Sequence, residues 1–183
     1  EAIRADYAIN EGGGGPIPTP GGLAYSVAVG EKGRLELRIT LRGKSTHAAS
    51  PWQGDNASFK LGEVLRRLAD WKPEIDVSGE FFNALAALLD RSEPITAENV
   101  DALAEELSKA SRELGSAMRG VSRMTLTPTM FSGGVKSNSI PAACQLVCDV
   151  RTLPWQDEIY VRRQVDGLLA GIEGVEYELV YTA

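Results

Sequence analysis

The sequence has few of the residues that build metal sites and disulfide frameworks. Its 183 residues include one histidine, His47, and two cysteines, Cys144 and Cys148. The cysteines lie four positions apart in one predicted strand, where they point to the same face and are too far apart to form a disulfide. We interpret them as small buried side chains in a reducing compartment and expect a cytoplasmic protein.

Long apolar segments and basic runs are also missing, and their absence argues against two classes of partner. No apolar stretch is long enough to span a membrane, and no charged and then apolar start resembles a secretory signal. The sequence begins at Glu1, without a methionine, so the question of a secretory signal in a longer parent protein is left open. The net charge is −6 and no Lys/Arg run exceeds two residues. We therefore expect neither a membrane nor nucleic acid as a partner.

Strand and helix patterns fill most of the remaining chain. Leucine and isoleucine alternate with polar residues from Arg34 to Arg42, which predicts a strand with one buried face. A helix capped by Asn56 is expected to end near Trp71. Further strands are predicted at 23–29, 123–131, 143–152 and 175–181, and a last helix after Pro154.

Residues 80–118 hold two more helical patterns, the second of which predicts one helix from a cap at Thr96 through Leu114. Without this segment the order is strand, helix, strand, strand, helix, strand. That order predicts an α+β, ferredoxin-like two-layer sandwich, in which two helices cover one face of a four-stranded antiparallel sheet. Residues 80–118 would form a helical insertion.

The first 22 residues have a different composition, with Asp6 and Glu11 ahead of four glycines and a proline-rich loop. The two carboxylates are either metal ligands or solvated charges, and their positions alone do not decide between these. A catalytic zinc site normally has about three protein ligands including histidine. The chain by itself is therefore not expected to be a zinc hydrolase.

Four further residues are considered for a role in chemistry, and Ser45 is the one we set aside. His47 lies in a polar loop after a strand, and the residues alone leave open whether it is structural or functional. Ser45 is close in sequence, but two residues of separation do not build a Ser–His pair with an orienting acid. Asp149 and Arg151 share the strand face opposite Cys148, and they form either a carboxylate-binding fork or an exposed ion pair.

Four stretches together carry a family resemblance: residues 6–12, 42–51, 133–141 and 149–154. In this order and spacing the chain resembles the zinc metallopeptidases and amidohydrolases that include aminoacylase, acetylornithine deacetylase, succinyl-diaminopimelate desuccinylase and the glutamate and yeast-type carboxypeptidases. The resemblance implies a two-zinc catalytic domain with a lid inserted into it, and a homodimer formed by the lids. Residues 1–31 would be a remnant of the catalytic domain, and residues 32–183 the lid.

The resemblance also implies a role for each matching residue. Glu11 corresponds to a terminal zinc ligand, and His47 to a histidine that reaches the partner subunit's active site and supports the oxyanion. Asn138 and Arg151 correspond to residues that hold the substrate's carboxylate and polar groups, with Asp149 orienting Arg151. The implied substrate is an N-acyl amino acid or short peptide.

The family's other metal ligands and its general base are absent from these 183 residues. We expect them before and after the chain, so that the chain alone is inactive. The alternative is a stand-alone ferredoxin-like module that binds a ligand or another protein. The metal-like loop in the first 22 residues argues against this alternative, because it has no partner within the chain.

Overall fold

A computed structural model describes residues 15–19, 22–25 and 30–181, and these contain six strands and five α-helices. They fall into two compact units. The larger unit consists of residues 32–77 and 96–181, and the smaller combines residues up to 31 with 78–95. The elements are β1 (Ile17–Thr19), β2 (Gly22–Ala24), β3 (Gly33–Arg42), α1 (Ala57–Asp70), α2 (Glu80–Leu88), α3 (Val100–Ala110), α4 (Arg112–Val121), β4 (Thr125–Gly133), β5 (Ala143–Thr152), α5 (Glu158–Leu169) and β6 (Val175–Tyr181).

The larger unit is built on a four-stranded antiparallel sheet with the strand order β4-β5-β3-β6. Helices α1 and α5 pack with one face of this sheet in a single core. The predicted α+β, ferredoxin-like sandwich is therefore confirmed. Strands β4 and β6 form its two edges.

The buried face of the sheet follows from the alternation in β3. Leu35, Leu37, Ile39 and Leu41 are all buried, whereas Arg34 and Arg42 at the ends of the alternation are exposed. In β5 the two cysteines lie on the same buried face, as predicted, and neither is in a disulfide. Burial raises the pKa of the Cys148 thiol to about 12. These thiols therefore behave as core side chains.

Both helices on the sheet begin at a side-chain cap, and the one at Asn56 was predicted. The Asn56 side chain accepts a hydrogen bond from the backbone N–H of Ser58, and α1 ends at its C-cap, Trp71. Asp157 caps α5 in the same manner through the N–H of Tyr160. Four apolar residues of α5 are buried against the sheet: Val161, Val165, Leu168 and Leu169.

The prediction of one helix from Thr96 through Leu114 is wrong, because the chain forms two helices there. The carbonyl of Thr96 accepts hydrogen bonds from the N–H groups of Asn99 and Val100, and α3 then ends at Ala110. Ser111 is extended, with φ −147° and ψ 116°, and its hydroxyl accepts from the N–H of Leu114 to cap α4. A serine that caps a new helix is the physical reason for the break.

The smaller unit holds a short hairpin and one helix. Strands β1 and β2 pair antiparallel, with Ile17 opposite Ala24. Helix α2 matches the first helical pattern in the 80–118 segment. The strand predicted over 23–29 overlaps β2 only at residues 23 and 24; Tyr25 is described and is not in a strand, and residues 26–29 lie outside the described part. In the larger unit, β4 begins and ends two residues later than the predicted 123–131.

Candidate functional site

The loop after β3, which carries His47, pairs with the loop before β5, which carries Asn138. The Ala48 N–H donates to the Asn138 carbonyl at 2.9 Å, and the Ile140 N–H donates to the Thr46 carbonyl at 2.9 Å. These bonds make His47 and Ser139 partners in an antiparallel bridge. The structure therefore joins the backbones of two loops that the sequence places about 90 residues apart,.

Side chains and glycines hold the same two loops. The Ser45 and Ser139 hydroxyls are 3.0 Å apart and hydrogen-bonded. A Cβ at Gly54 would come within 2.6 Å of the Thr46 methyl group. A Cβ at Gly43 would collide with the carbonyl oxygen of Asp55. Glycine is therefore required at both positions for the close approach of these backbone segments.

The His47 imidazole is exposed, and one hydrogen bond orients it. Its Nδ1 accepts from the backbone N–H of Ala49 at 3.1 Å. The His47 carbonyl in turn accepts from the N–H of Ser50 at 2.9 Å, which closes a tight turn. The side chain thus projects from an ordered turn rather than from the core.

A hollow of about 490 Å³ lies beside this turn. It is lined by residues of both loops and of the start of α1: Ala48, Pro51, Gly54, Asp55, Asn56, Phe59 and Ile140. Its wall is largely apolar, and the exposed ring of Phe59 forms one side. An apolar group that enters the hollow would lie close to His47.

Asp149 and Arg151 form a second cluster on the open face of the sheet. The Arg151 Nε donates to Asp149 at 2.7 Å, and the Arg34 Nε donates to the same carboxylate at 3.2 Å. Two hydrogen bonds hold the pKa of Asp149 below its usual range. The larger contribution comes from Arg151 and the smaller one from Arg34. Asp149 is therefore a shared anion that fixes the direction of two guanidinium groups.

The two clusters lie at opposite ends of β5. Arg151 pairs with Arg34 at the start of β3, whereas Ala143 pairs with Arg42 at the end of β3, next to the His47 loop. Eight residues of extended strand separate Ala143 from Arg151, which corresponds to about 26 Å. One copy of the chain does not bring Arg151 and His47 together.

The edge strand β4 presents apolar side chains that nothing in the described chain covers. Phe131 pairs with the fully buried Leu146, so it lies on the face of the sheet that carries the helices. It is nevertheless 75% exposed. Met130 and Val135 beside it are also exposed. The other edge strand, β6, carries the charged residues Glu176 and Glu178, which protect an edge against pairing,.

The predicted metal ligand Glu11 lies outside the described residues, as does Asp6. Within residues 15–19, 22–25 and 30–181, no three His, Cys, Asp or Glu side chains are grouped to hold a metal ion. In the same described ranges no helix is long and apolar enough to cross a membrane.

Two contributors to the His47 site are not indicated by residue type or spacing. The Ala49 backbone N–H carries no signal in the sequence, because any residue except proline supplies it. Ser139 lies inside the matched stretch 133–141, but its contact with Ser45 depends on the pairing of two distant loops. The shared bond from Arg34 to Asp149 is likewise a product of strand register.

The fold and these clusters define a ferredoxin-like sandwich with an exposed loop site at one end and an open apolar edge. The family model for the peptidase dimerisation domain matches residues 29–173. The chain belongs to this family, and it is a dimerisation domain of M20-type peptidases and amidohydrolases. Self-association follows from that membership.

Individual relatives agree with this assignment. A probable succinyl-diaminopimelate desuccinylase from Staphylococcus aureus (strain Mu50) is 22% identical over 171 residues, covering 88% of this chain and 36% of that protein. An uncharacterized protein, YgeY, from Escherichia coli K12 is 46% identical over 41 residues, covering 22% of this chain and 10% of that protein. The chain thus spans between about a tenth and about a third of the length of these relatives.

A solved structure supports the fold. The M20 family metallo-carboxypeptidase Sso-CP2 from Sulfolobus solfataricus matches with a TM-score of 0.50 and 21% identity. The match covers 82% of this chain and 37% of that one. The similarity is that of the whole sandwich rather than of a single motif.

Proposed function

We propose that this chain is the dimerisation and substrate-capping domain of a zinc-dependent enzyme that hydrolyses the amide bond of N-acyl amino acids or short peptides. The observation that carries the proposal is the separation of His47 from Arg151 along β5. An extended residue spans only about 3.5 Å, so a dipeptide cannot reach both clusters of one chain. Two copies must therefore contribute to one site if both residues contact the substrate.

In the proposed enzyme His47 acts on the partner subunit's substrate. It is exposed on a turn that is hydrogen-bonded to a second loop, so it is both accessible and fixed. A fixed donor aimed at the developing oxyanion stabilises the transition state of amide hydrolysis, because no reorganisation is needed when the charge appears. Asn138 lies on the paired loop, and we assign it to the same side of the dimer.

Arg151 is proposed to bind the free carboxylate of a substrate in its own subunit. Asp149 accepts from its Nε at 2.7 Å and from its Nη2 at 3.3 Å, which fixes the plane of the guanidinium. The remaining N–H groups of the fork can then pair with a carboxylate. This role affects binding more than the chemical step.

Zinc belongs to the proposed catalytic part of the longer protein, with Glu11 as the single ligand from this chain. When bound, zinc polarises the amide carbonyl and activates water. Residues 1–31 would belong to that catalytic part, and residues 32–183 to the lid. The described lid residues contribute binding, orientation and an oxyanion donor. The chain alone is therefore expected not to hydrolyse N-acyl amino acids or dipeptides.

We assign the homodimer interface to the β4 edge. Phe131 and Met130 are exposed there, and α1 is the helix closest to this strand. A second copy that pairs antiparallel along β4 would satisfy the free backbone groups and cover these side chains in an isologous contact. Strand β6 has one exposed apolar residue, Tyr181, but it also carries the charged Glu176 and Glu178, so it is the less apolar of the two edges.

Complementation between inactive variants tests this arrangement in the longer enzyme. We would co-express His47→Ala and Arg151→Ala subunits with different tags and purify the mixed dimer. One site of that dimer has its own Arg151 and receives His47 from the partner, so we expect about half of the wild-type activity. Each parent variant should have little activity by itself when the substrate concentration is well below the wild-type KM, because Arg151→Ala chiefly weakens binding.

The matched control is the mixed dimer of His47→Ala with Asn138→Ala. Both residues come from the same subunit in the proposal, so no site in this dimer is complete and activity should not recover. Recovery here, or no recovery in the His47 and Arg151 pair despite proven mixing, would contradict the assignment of these residues to opposite subunits.

A further inference from the structure

The hydrogen bond to the His47 ring defines which of its nitrogen atoms carries a proton. The backbone N–H of Ala49 points to Nδ1 at 3.1 Å. A backbone N–H only donates, so Nδ1 must accept through its lone pair. A neutral imidazole with an accepting Nδ1 carries its proton on Nε2, and an imidazolium has no nitrogen that accepts.

The turn that contains Ala49 places this bond within the pairing of the two loops. The Ser50 N–H donates to the His47 carbonyl at 2.9 Å, and the Ala48 N–H donates to the Asn138 carbonyl at 2.9 Å. The residues on both sides of Ala49 are thereby held, and in this turn the Ala49 N–H points to the His47 ring. The ring is oriented by the backbone itself.

The direction of the hydrogen bond at Nδ1 of His47 is the reverse of that in a Ser–His–Asp triad. The histidine of a triad donates its Nδ1–H to a carboxylate, and its Nε2 accepts a proton from the nucleophile. In this chain Nδ1 accepts and Nε2 is left as the donor. The nearby Ser45 hydroxyl is instead hydrogen-bonded to Ser139. The arrangement is therefore unsuited to a general base and suited to a hydrogen-bond donor.

We propose that the Ala49 backbone N–H holds His47 in the Nε2–H tautomer, so that His47 supports the oxyanion as a neutral donor rather than as an imidazolium or a proton-transfer group. The part of this inference that concerns the oxyanion rests on the proposed function of His47. The tautomer itself can be measured on the 183-residue chain. Ala49 is then a positioning residue that acts through its main chain.

The first experiment uses the fact that His47 is the single histidine of the chain. With uniform ¹⁵N labelling of the chain, the two-bond couplings to Hε1 and Hδ2 assign each nitrogen of this single imidazole without ambiguity. We expect an unprotonated Nδ1, a protonated Nε2, and a through-hydrogen-bond coupling between the Ala49 amide nitrogen and Nδ1. A protonated Nδ1, or signals averaged over both tautomers, would overturn the inference.

The second experiment compares three substitutions in the longer enzyme. The side-chain amide nitrogen of Gln reaches the position of Nε2, whereas that of Asn reaches only Nδ1. We expect His47→Gln to keep kcat within about tenfold of wild type, and His47→Asn and His47→Ala to lower it by about 10²–10³. KM should change little in all three variants.

The outcomes separate this inference from the function on which it rests. If kcat of His47→Gln is no higher than that of His47→Asn while His47→Ala is strongly impaired, the neutral-donor inference is wrong and the catalytic role of His47 stands. If Ala is as active as wild type, the proposed function of His47 fails, and the NMR measurement still decides the tautomer. Rescue by Gln together with the Nε2–H tautomer supports both.

Discussion

Removing the Phe131 ring should weaken self-association strongly. Phe131 is 75% exposed on the helix-bearing face of the edge strand β4. Full burial of a phenylalanine side chain stabilises by about 1.5–3 kcal/mol, so roughly 1–2 kcal/mol is available per copy. A two-fold interface uses the residue twice, and Phe131→Ala should therefore raise the dimer dissociation constant by about 30-fold to about 10³-fold.

The matched control is Ile159→Ala. Ile159 is 77% exposed, and it lies on α5 next to Glu158, whose carboxylate accepts from the Tyr181 hydroxyl of β6. The two substitutions remove similarly exposed apolar side chains near opposite edges of the sheet, Phe131 at β4 and Ile159 towards β6. Because both residues are exposed, neither change should alter the stability of the subunit by more than about 0.5 kcal/mol.

Sedimentation equilibrium of the 183-residue chain at micromolar concentration measures both constants. We expect Phe131→Ala to shift the equilibrium towards monomer and Ile159→Ala to match the wild type. A larger effect of Ile159→Ala, or an unchanged constant for Phe131→Ala in a chain that dimerises, would refute pairing through the β4 edge. Thermal unfolding of each variant shows whether a change in the dimer dissociation constant is caused by a loss of the subunit fold.

Four further substitutions test the local structure. Gly43→Ala should destabilise the fold by about 1–3 kcal/mol, because the added methyl collides with the Asp55 carbonyl, whereas Gly167→Ala in the open part of α5 should stabilise it by about 0.5–1 kcal/mol,. Ser111→Ala removes the cap of α4 and should cost about 0.5–2 kcal/mol in chemical denaturation,. Burial, then repulsion from nearby arginines, lowers the pKa of Lys32 from 10.5 to about 8. Between pH 8 and pH 10.5 the unfolded chain binds more protons than the folded chain, because only the folded chain has lost the Lys32 proton. The free energy of unfolding should therefore rise with pH over this range,. Lys32→Met should remove that rise in denaturant titrations from pH 8 to 10, and an unchanged slope would contradict the shift.

Local patterns were sufficient to predict most elements of the sandwich. The alternation in β3 and the cap at Asn56 each report the environment of their own segment, and both are confirmed. The break at Ser111 was missed because Val100, Leu103 and Leu107 keep a helical spacing that Leu114 continues. An apolar stripe does not reveal a serine that ends one helix and caps the next.

The candidate site was predictable as a set of residues but not as an arrangement. His47 and Asn138 lie in loops whose pairing depends on the register of β3 with β5, which is a property of the whole sheet. The same register separates Arg151 from His47. Residue types can indicate a donor and a carboxylate-binding fork, whereas the distance between them follows only from the strand lengths and pairing.

The position of the two clusters links assembly to chemistry in the proposed enzyme. If His47 and Arg151 act on one substrate from different subunits, a monomer holds two incomplete halves, however well each half is ordered. The β4 edge then contributes to catalysis although no residue of that edge needs to contact the substrate. Loss of the Phe131 contact should therefore lower activity in proportion to the dimer that is lost, whereas loss of the His47 donor lowers the activity of every dimer equally. Activity measured as a function of protein concentration distinguishes these two kinds of defect, because only the first is restored when the concentration is raised.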